Sequence, residues 1–385
     1  MSLFPFTPPK AGLYITADRF CVVPLRRHLG RLSYGDYVEQ PLPSGSITPS
    51  SVEPNIHDPE QLTEILMDVV GNKKKPQSVA LCLPDLCART TILELATLPP
   101  KTQERQALIQ WRLQEKLNLS KGKSRISYQI LSSPVNGFAG SSDTNPSIRL
   151  LASAIQENII EAYETICLNA RLVPVSIHLA SMAVFNMCRS LMDSILKTTA
   201  DTYSYEPGSQ FFLYLGDWGY SIIGVRDDAP VFLRTKPLRQ LSPGVGADPS
   251  SVRKEGVPSE VKEPEDIFTT NSLESQTSPL QIATLVTNEL VGTLQYFFET
   301  HAIPGSSDTV YPLFLIGSQD PESILPHIAD LIEEEFPLDT EHGKPRFKSF
   351  PLFPSNPSLN VKPLSGLSTW RGNALPAFAA TSDPS

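Results

Sequence analysis

The strongest constraint on this chain is a strand-hairpin opening that occurs twice. The stretch FFLYLGDWGYSIIGVRDDAPVFLRT, beginning at Phe211, alternates short apolar runs with turn signals. It predicts three strands, with one tip at Gly216-Asp217-Trp218-Gly219 and a second turn at Asp227-Asp228-Ala229-Pro230. The two glycines of the first tip are expected to permit a tight turn and to bring backbone N–H groups close to whatever lies above them. Near the start of the chain GLYITADRFCVVPL repeats the pattern, with Leu13-Tyr14-Ile15 standing as Leu213-Tyr214-Leu215 does later. A repeated opening of this kind predicts two related halves facing each other across a cleft.

Around the two openings the pattern alternates between strand and helix, which argues for an α/β core. Residues 59–70 predict a helix: Pro59 suits a first turn, Asp58 can cap it, and Leu62, Ile65, Leu66 and Val69 make the inner stripe. SVALCLP is a strand ended by Pro84, and RLLASAI and RLVPVSIHL are two more, each leading into a helix. In the later half, 279–301 is a long helix turning Ile282, Leu285, Val286, Leu290, Leu294 and Phe297 inward. VYPLFLIG is then a strand ending at Gly317, and 324–336 a further helix. The expected division is a first lobe over 11–200 with an inserted subdomain at about 84–147, a second lobe over 210–338, and a loop-rich tail over 339–385 that can hold a short closing segment at 370–380. The passage 40–59 reads as a long loop. The run at about 241–278 has few large apolar residues to offset chain entropy and is expected to be a flexible insert. The predicted helix 101–119 has two apolar faces, Ile109, Leu113 and Leu117 on one and Leu108, Trp111 and Leu119 nearly opposite. Such a helix is either sandwiched between two neighbours or keeps one face for a partner.

Composition narrows the function classes. The chain of 385 residues carries a net charge of −9 and its basic run is Lys73-Lys74-Lys75, so no nucleic-acid footprint is expected. No stretch reaches the roughly 20 apolar residues of a membrane span. The opening MSLFPFTPPKAG is too short and proline-broken for a signal peptide. The expectation is a cytoplasmic protein without direct membrane insertion. Cys21, Cys82, Cys87, Cys167 and Cys188 lack paired metal spacing and read as free, buried thiols. The histidines, His28, His57, His178, His301, His327 and His342, are scattered, and no G-x-S-x-G elbow occurs, so neither a metal site nor a serine hydrolase is indicated.

Several short motifs fall in an order similar to one family. Residues 12–16 read G-L-Y-I-T. Leu83-Pro84-Asp85 is followed by Ile92-Leu93-Glu94-Leu95 and by Ile109-Gln110-Trp111-Arg112. Asn169-Ala170-Arg171-Leu172-Val173-Pro174-Val175 joins two predicted helices, Tyr214-Leu215-Gly216 opens the second half, and Glu289-Leu290 runs on to Leu294 and Phe297. From about Gly12 to Phe336 this order resembles the PilM-like proteins of type IV pilus assembly, with the cytoplasmic domain of GspL as a relative. No single motif is specific; their order carries the likeness. The resemblance implies a bilobed actin-like (ribonuclease H-like) α/β fold, shared with actin and FtsA, with an inserted small subdomain.

The departures from the family pattern bear on function. An active actin-like ATPase opens each hairpin with an aspartate that holds Mg²⁺, a hard cation that takes carboxylates and waters. Here those positions are Tyr14 and Tyr214, and a phenol of pKa about 10 is neutral at pH 7. The first-hairpin glycine is Thr16, the threonine position after the second tip is Tyr220, and the adenosine-side glycine run reads Gly317-Ser318-Gln319. A remnant nucleotide cleft would comprise Thr16, Ala17, Asp18, Gly216, Asp217, Gly317 and Ser318, with ATP weak or absent and Mg²⁺ not favoured. Asp18 and Asp217 are expected to be exposed turn residues, Trp218 to cover the cleft floor, and His178 to be a satisfied, partly buried side chain.

The resemblance implies a non-catalytic scaffold, a pseudo-ATPase, that captures the cytoplasmic N-terminal tail of a PilN-like inner-membrane protein. It would sit peripherally at the inner face of the inner membrane among other pilus or secretion components. Leu108, Trp111 and Leu119 are the expected docking residues, with Trp111 as anchor. Two alternatives stay open: an Mg-ATP hydrolase rearranged around Asp18 or Asp217, and a scaffold that holds nucleotide without turnover.

Overall fold

The computed structural model describes residues 8–28, 31–71, 75–117, 123–131, 148–238, 278–301, 309–317, 321–337, 345–352 and 375–381. The first opening forms as its apolar alternation requires. Strand β1 (Ala11–Ile15) pairs antiparallel with β2 (Arg19–His28), which also pairs with β3 (Arg31–Tyr34) and β4 (Val38–Pro41). Helix α1 (Pro59–Val70) follows, its first turn held by the Asp58 carboxylate accepting from Gln61 N at 2.9 Å. Strand β5 (Gln77–Leu83) then lies parallel to β1. After a single 3-10 turn at Asp85–Cys87 come β6 (Arg89–Leu95), α2 (Thr102–Leu117), β7 (Ser124–Ile130) and β8 (Ile148–Gln156). Helix α3 (Glu157–Asn169), β9 (Leu172–Leu179) and α4 (Ala180–Thr199) complete the first half.

The second half repeats this order. Strands β10 (Ser209–Leu215), β11 (Gly219–Arg226) and β12 (Ala229–Pro237) make the antiparallel meander. Helix α5 (Pro279–His301) precedes β13 (Tyr311–Gly317), α6 (Pro321–Glu335) precedes β14 (Phe347–Pro351), and α7 (Leu375–Thr381) follows. Strand for strand, the sheet order β12-β11-β10-β13-β14 matches β3-β2-β1-β5-β9 in the first half. The expected duplication is therefore present in the topology itself.

Packing yields five layers. Between the sheets lie α4 and α7, where Val184, Phe185 and Met192 of α4 and Leu375, Ala377 and Phe378 of α7 join Tyr14, Cys82, Phe212 and Tyr214 in one core. Helices α1 and α3 cover the outer face of the first sheet through Leu62, Leu66, Ile159 and Tyr163. Helices α5 and α6 cover that of the second through Val286, Leu290, Phe297 and Ile328. Because helices cover both faces, β13 is buried along its whole length, which explains its unbroken apolar run. Gly12 permits the close approach of α7: a Cβ there would lie 1.9 Å from the Ala377 carbonyl oxygen. All five cysteines are buried and unpaired, as the sequence suggests.

Two expectations change. The segment after 338 contributes β14 and α7, which complete the second sheet and the inner layer; each is too short to display a periodicity of its own. The small sheet has the order β6-β8-β7, so its middle strand lies beyond the expected boundary at 147. Of the two readings open for helix α2, packing among the described residues covers one face only. Ile109 and Leu113 pack on Leu93, Leu150 and Ala152 with Leu108 at the margin, while Trp111 is 52% exposed with the Arg112 guanidinium 4.6 Å from its ring. Leu119 and all but the last residue of the 241–278 insert lie outside the described residues.

Candidate functional site

Strands β1 and β10 each turn one tyrosine into the inner layer, and the two meet. The phenol oxygens of Tyr14 and Tyr214 are 3.4 Å apart and each residue is 2% exposed. That spacing is the outer limit of a hydrogen bond. Burial above all, with Asp217 close by, raises both phenols well above their ordinary pKa, so both are neutral at pH 7.

The two tips are equivalent three-residue loops, Thr16-Ala17-Asp18 and Gly216-Asp217-Trp218, closed by Thr16 N to Arg19 O at 3.0 Å and Gly216 N to Gly219 O at 2.8 Å. In the first, the Thr16 hydroxyl accepts from Asp18 N at 3.3 Å and Arg19 N at 3.1 Å and donates to the Asp18 carboxylate at 2.7 Å. A side chain thus consumes amides that a glycine would leave free for an anion. Asp18 is gripped by Arg19, Nε at 3.0 Å and Nη2 at 2.5 Å, and Arg19 also reaches Glu39 at 2.6 Å. Burial alone would raise the Asp18 carboxyl, but hydrogen bonds from Arg19 and Thr16 outweigh it and hold it below the usual range.

Asp217 departs from expectation. It is 8% exposed and lines the same small cavity as both phenols. Neither Gly216 nor Gly219 takes a positive φ. Gly219 is required for another reason, since a Cβ there would lie 2.4 Å from the Lys236 carbonyl oxygen on the neighbouring strand.

Between tips and phenols remains a cavity of about 30 Å³, lined by Thr16, Ala17, Gly216, Asp217 and Tyr220 together with both tyrosines, room for about two waters. Half-buried Trp218 also borders this cavity, as expected of a residue covering the floor, and stands between it and an open groove of about 1100 Å³ bounded by the 48–57 loop, β6 and β12. The Tyr220 hydroxyl points to Thr293 at 3.4 Å, inside the second lobe. Asp18 and Gly317 do not line the cavity, and Ser318 lies outside the described residues. The structure thus gathers Thr16, Ala17, Gly216 and Asp217 and leaves Asp18 and Gly317 aside.

Two features escaped sequence reasoning. The first is centred on Asp85, which in the sequence stands out through the Leu83-Pro84-Asp85 motif alone. Its carboxylate accepts from Ser181 N at 3.1 and 3.2 Å, from Ser181 Oγ at 2.9 Å and from Ser221 Oγ at 2.9 Å, and Ser221 also meets Thr235 at 2.8 Å. The carboxylate lies deep among protein atoms although part of the residue's surface is exposed. Burial pushes it up to about 6 against the opposing hydrogen bonds of Ser181 and Ser221.

The second is a concavity of about 690 Å³ on the face of the small sheet opposite α2. Paired register sets Arg125, Ser127 and Gln129 of β7 beside Ile155, Ser153 and Leu151 of β8 on this face. Ile177, Leu179, Met182 and Phe185 form the opposite wall, and the turn at 228–230 reaches one end. The alternating pattern of β7 was the available signal. His178 lines the groove and meets Ser176 Oγ at 2.9 Å, a satisfied side chain as expected.

Among the described residues no cluster of three potential ligands could hold a metal ion, and no helix is long and apolar enough to cross a membrane. No protein-family profile matches the chain, and no curated protein matches it. Among solved structures, a chain of a PilM-PilN type IV pilus biogenesis complex matches with a TM-score of 0.60 at 14% identity, covering 99% of this chain and 100% of that one. A Bacteroides thetaiotaomicron protein with an actin-like ATPase fold and unknown function gives a TM-score of 0.39 at 9% identity, covering 91% of this chain and 94% of that one. The cytoplasmic domain of EpsL, an inner-membrane component of the type II secretion system of Vibrio cholerae, gives 0.37 at 6%, covering 80% and 81%. This chain therefore shares its fold with a chain of a PilM-PilN type IV pilus biogenesis complex, and its two hairpins carry Tyr14 and Tyr214 at matching positions.

Proposed function

We propose that this chain is a non-catalytic adaptor of a type IV pilus or related secretion machine, which captures the cytoplasmic tail of a PilN-like membrane protein and is held at the membrane's inner face through that partner. The observation that carries the non-catalytic reading is the contact between two neutral phenols at the hairpin junction. Mg²⁺ needs carboxylate and water oxygens; here Asp18 is spent on Arg19, Asp85 accepts from Ser181 and Ser221, and Asp217 is buried beside two phenols. These donors do not suit the ion. Ligand pockets usually measure about 300–1,000 Å³, whereas the junction holds about 30 Å³.

The partner is inferred from the fold likeness to a chain of a PilM-PilN complex, an argument by analogy. Two places could receive an extended tail. Trp111 on α2 offers a single exposed ring already stacked by Arg112. The 690 Å³ groove offers a mixed floor in which Leu151 and Ile155 alternate with Ser127 and Ser153, an apolar wall from Ile177, Leu179 and Phe185, polar edges from Arg125, Gln129 and Asn186, and adaptable Met182 and Met187. The tail belongs in the groove on this ground. Leu151→Glu is expected to weaken binding of a synthetic PilN-like tail peptide by tenfold or more and Trp111→Ala to leave it unchanged; the reverse pattern would move the site to α2.

A second reading rests on the open groove outside Trp218, which is large enough for a nucleotide and carries Arg89 and Arg234: nucleotide held there without turnover. Calorimetric titration of ATP with Mg²⁺ separates the two. Absence of heat supports an adaptor without nucleotide, and binding that Arg234→Ala abolishes supports the second reading.

A further inference from the structure

The Asp85 carboxylate joins three parts of the molecule that are far apart in sequence. It belongs to the turn after β5, in the first lobe. Ser181, 2% exposed, is the second residue of α4, and its N–H has no intrahelical acceptor of its own. Ser221, 1% exposed, stands near the start of β11 in the second lobe. One carboxylate therefore fastens the inner helix and the second lobe to the first, and Ser221 passes the connection on to Thr235 of β12.

The same two elements shape the groove. The residues that follow Ser181 along α4, Met182, Ala183, Phe185 and Asn186, form one wall. Strand β11 carries Ser221 near one end and leads at the other to the turn whose Asp228, Ala229 and Pro230 close the groove. There Arg189, midway along α4, donates to the Asp228 carbonyl at 3.2 Å, so α4 meets the second lobe again at the turn that follows β11. A shift of the second lobe at Ser221 must displace the groove's end or break that tie.

We infer that the Asp85 clasp regulates the groove: it locks the second lobe onto the first and onto the head of α4, and so holds the groove at the width that receives a partner. This rests on the reading of the groove as the tail-binding site, and it assigns to a first-lobe side chain the interlobe crosslink that a bound ligand could otherwise supply. Asp85 is a positioning residue here, touching no partner itself.

The test compares wild type with Asp85→Ala, Asp85→Asn and Ser221→Ala by amide hydrogen exchange and by titration with a synthetic PilN-like tail peptide. Ser221→Ala cuts the interlobe arm alone and guards against a variant that merely fails to fold. Asp85→Asn keeps an acceptor for Ser181 N–H and a polar group for both hydroxyls, so it should rescue. Asp85→Ala and Ser221→Ala are expected to speed exchange in the first turn of α4 and in the 227–231 turn by about tenfold and to weaken peptide binding at least fivefold, with Asp85→Asn near wild type. Unchanged exchange in both variants overturns the clasp. Faster exchange with unchanged peptide affinity overturns its control of the groove. Should wild type fail to bind the peptide, the tail reading falls, and the exchange data still decide: groove-wall protection that survives loss of Asp85 overturns the inference, and its joint loss supports it.

Discussion

The phenol pair makes a quantitative prediction. Each hydroxyl is buried and has the other as its hydrogen-bond partner, at 3.4 Å, beside a cavity of about 30 Å³. Removing one hydroxyl leaves its partner desolvated and unpaired, which costs roughly 1 kcal/mol at the low end of the range because the bond is long. Tyr14→Phe and Tyr214→Phe should each lower stability by about 1 kcal/mol. The double variant removes both polar groups at once, and such paired removal is close to neutral. It should therefore cost about 1 kcal/mol or less rather than about 2, a coupling of roughly 1 kcal/mol that only groups in contact display. Urea unfolding followed by fluorescence would read each single variant as a midpoint shift of about 0.3–0.5 M at a slope of about 2–3 kcal/mol per M. Additivity to within about 0.3 kcal/mol would refute the reasoning, because it would mean that the hydroxyls do not depend on each other.

Other expectations follow from single contacts. Gly12→Ala would set a methyl 1.9 Å from the Ala377 oxygen and should destabilise by about 3 kcal/mol or more by prising α7 from the inner layer, read as a lowered melting temperature. Asp85 titrates near 6, above the ordinary carboxylate value of 3.8, so its contribution to stability is present below pH 4 and lost as the pH rises through 6. Asp85→Asn should remove that slope and gain roughly 1–2 kcal/mol on wild type between pH 4 and pH 7, a figure reduced for solvent at the exposed part of the residue. Trp111→Ala, at a half-exposed position, should change stability by no more than about 0.5 kcal/mol in the same urea assay.

How far the sequence revealed the fold depended on where the controlling contacts lay. The duplicated hairpins were legible because each strand alternates or runs apolar over enough residues, as at Phe211 to Leu215, and because Tyr14 and Tyr214 stand in matching words. Helix α5 was legible because Val286, Leu290, Leu294 and Phe297 repeat at helical spacing. Strand β14 was not, and helix α7 was legible only as a short closing segment of no stated type: five and seven residues carry no period, and their apolar side chains make sense only against β13 and Gly12. At the site, Tyr14 and Tyr214 could be read directly as matching residues of the two hairpins. The burial of Asp217 could not, because it depends on phenols brought in from both halves. The Asp85 clasp was hidden for the same reason, its partners lying 96 and 136 residues away.

Phosphate release from ATP with Mg²⁺ by the purified chain, compared with Asp18→Asn and Asp217→Asn, tests the non-catalytic claim most directly. The proposed adaptor predicts no release above the protein-free control in any of the three. Saturable, Mg²⁺-dependent release by wild type that disappears with either substitution would contradict it, and would mean that a tip carboxylate supports catalysis beside Tyr14 and Tyr214.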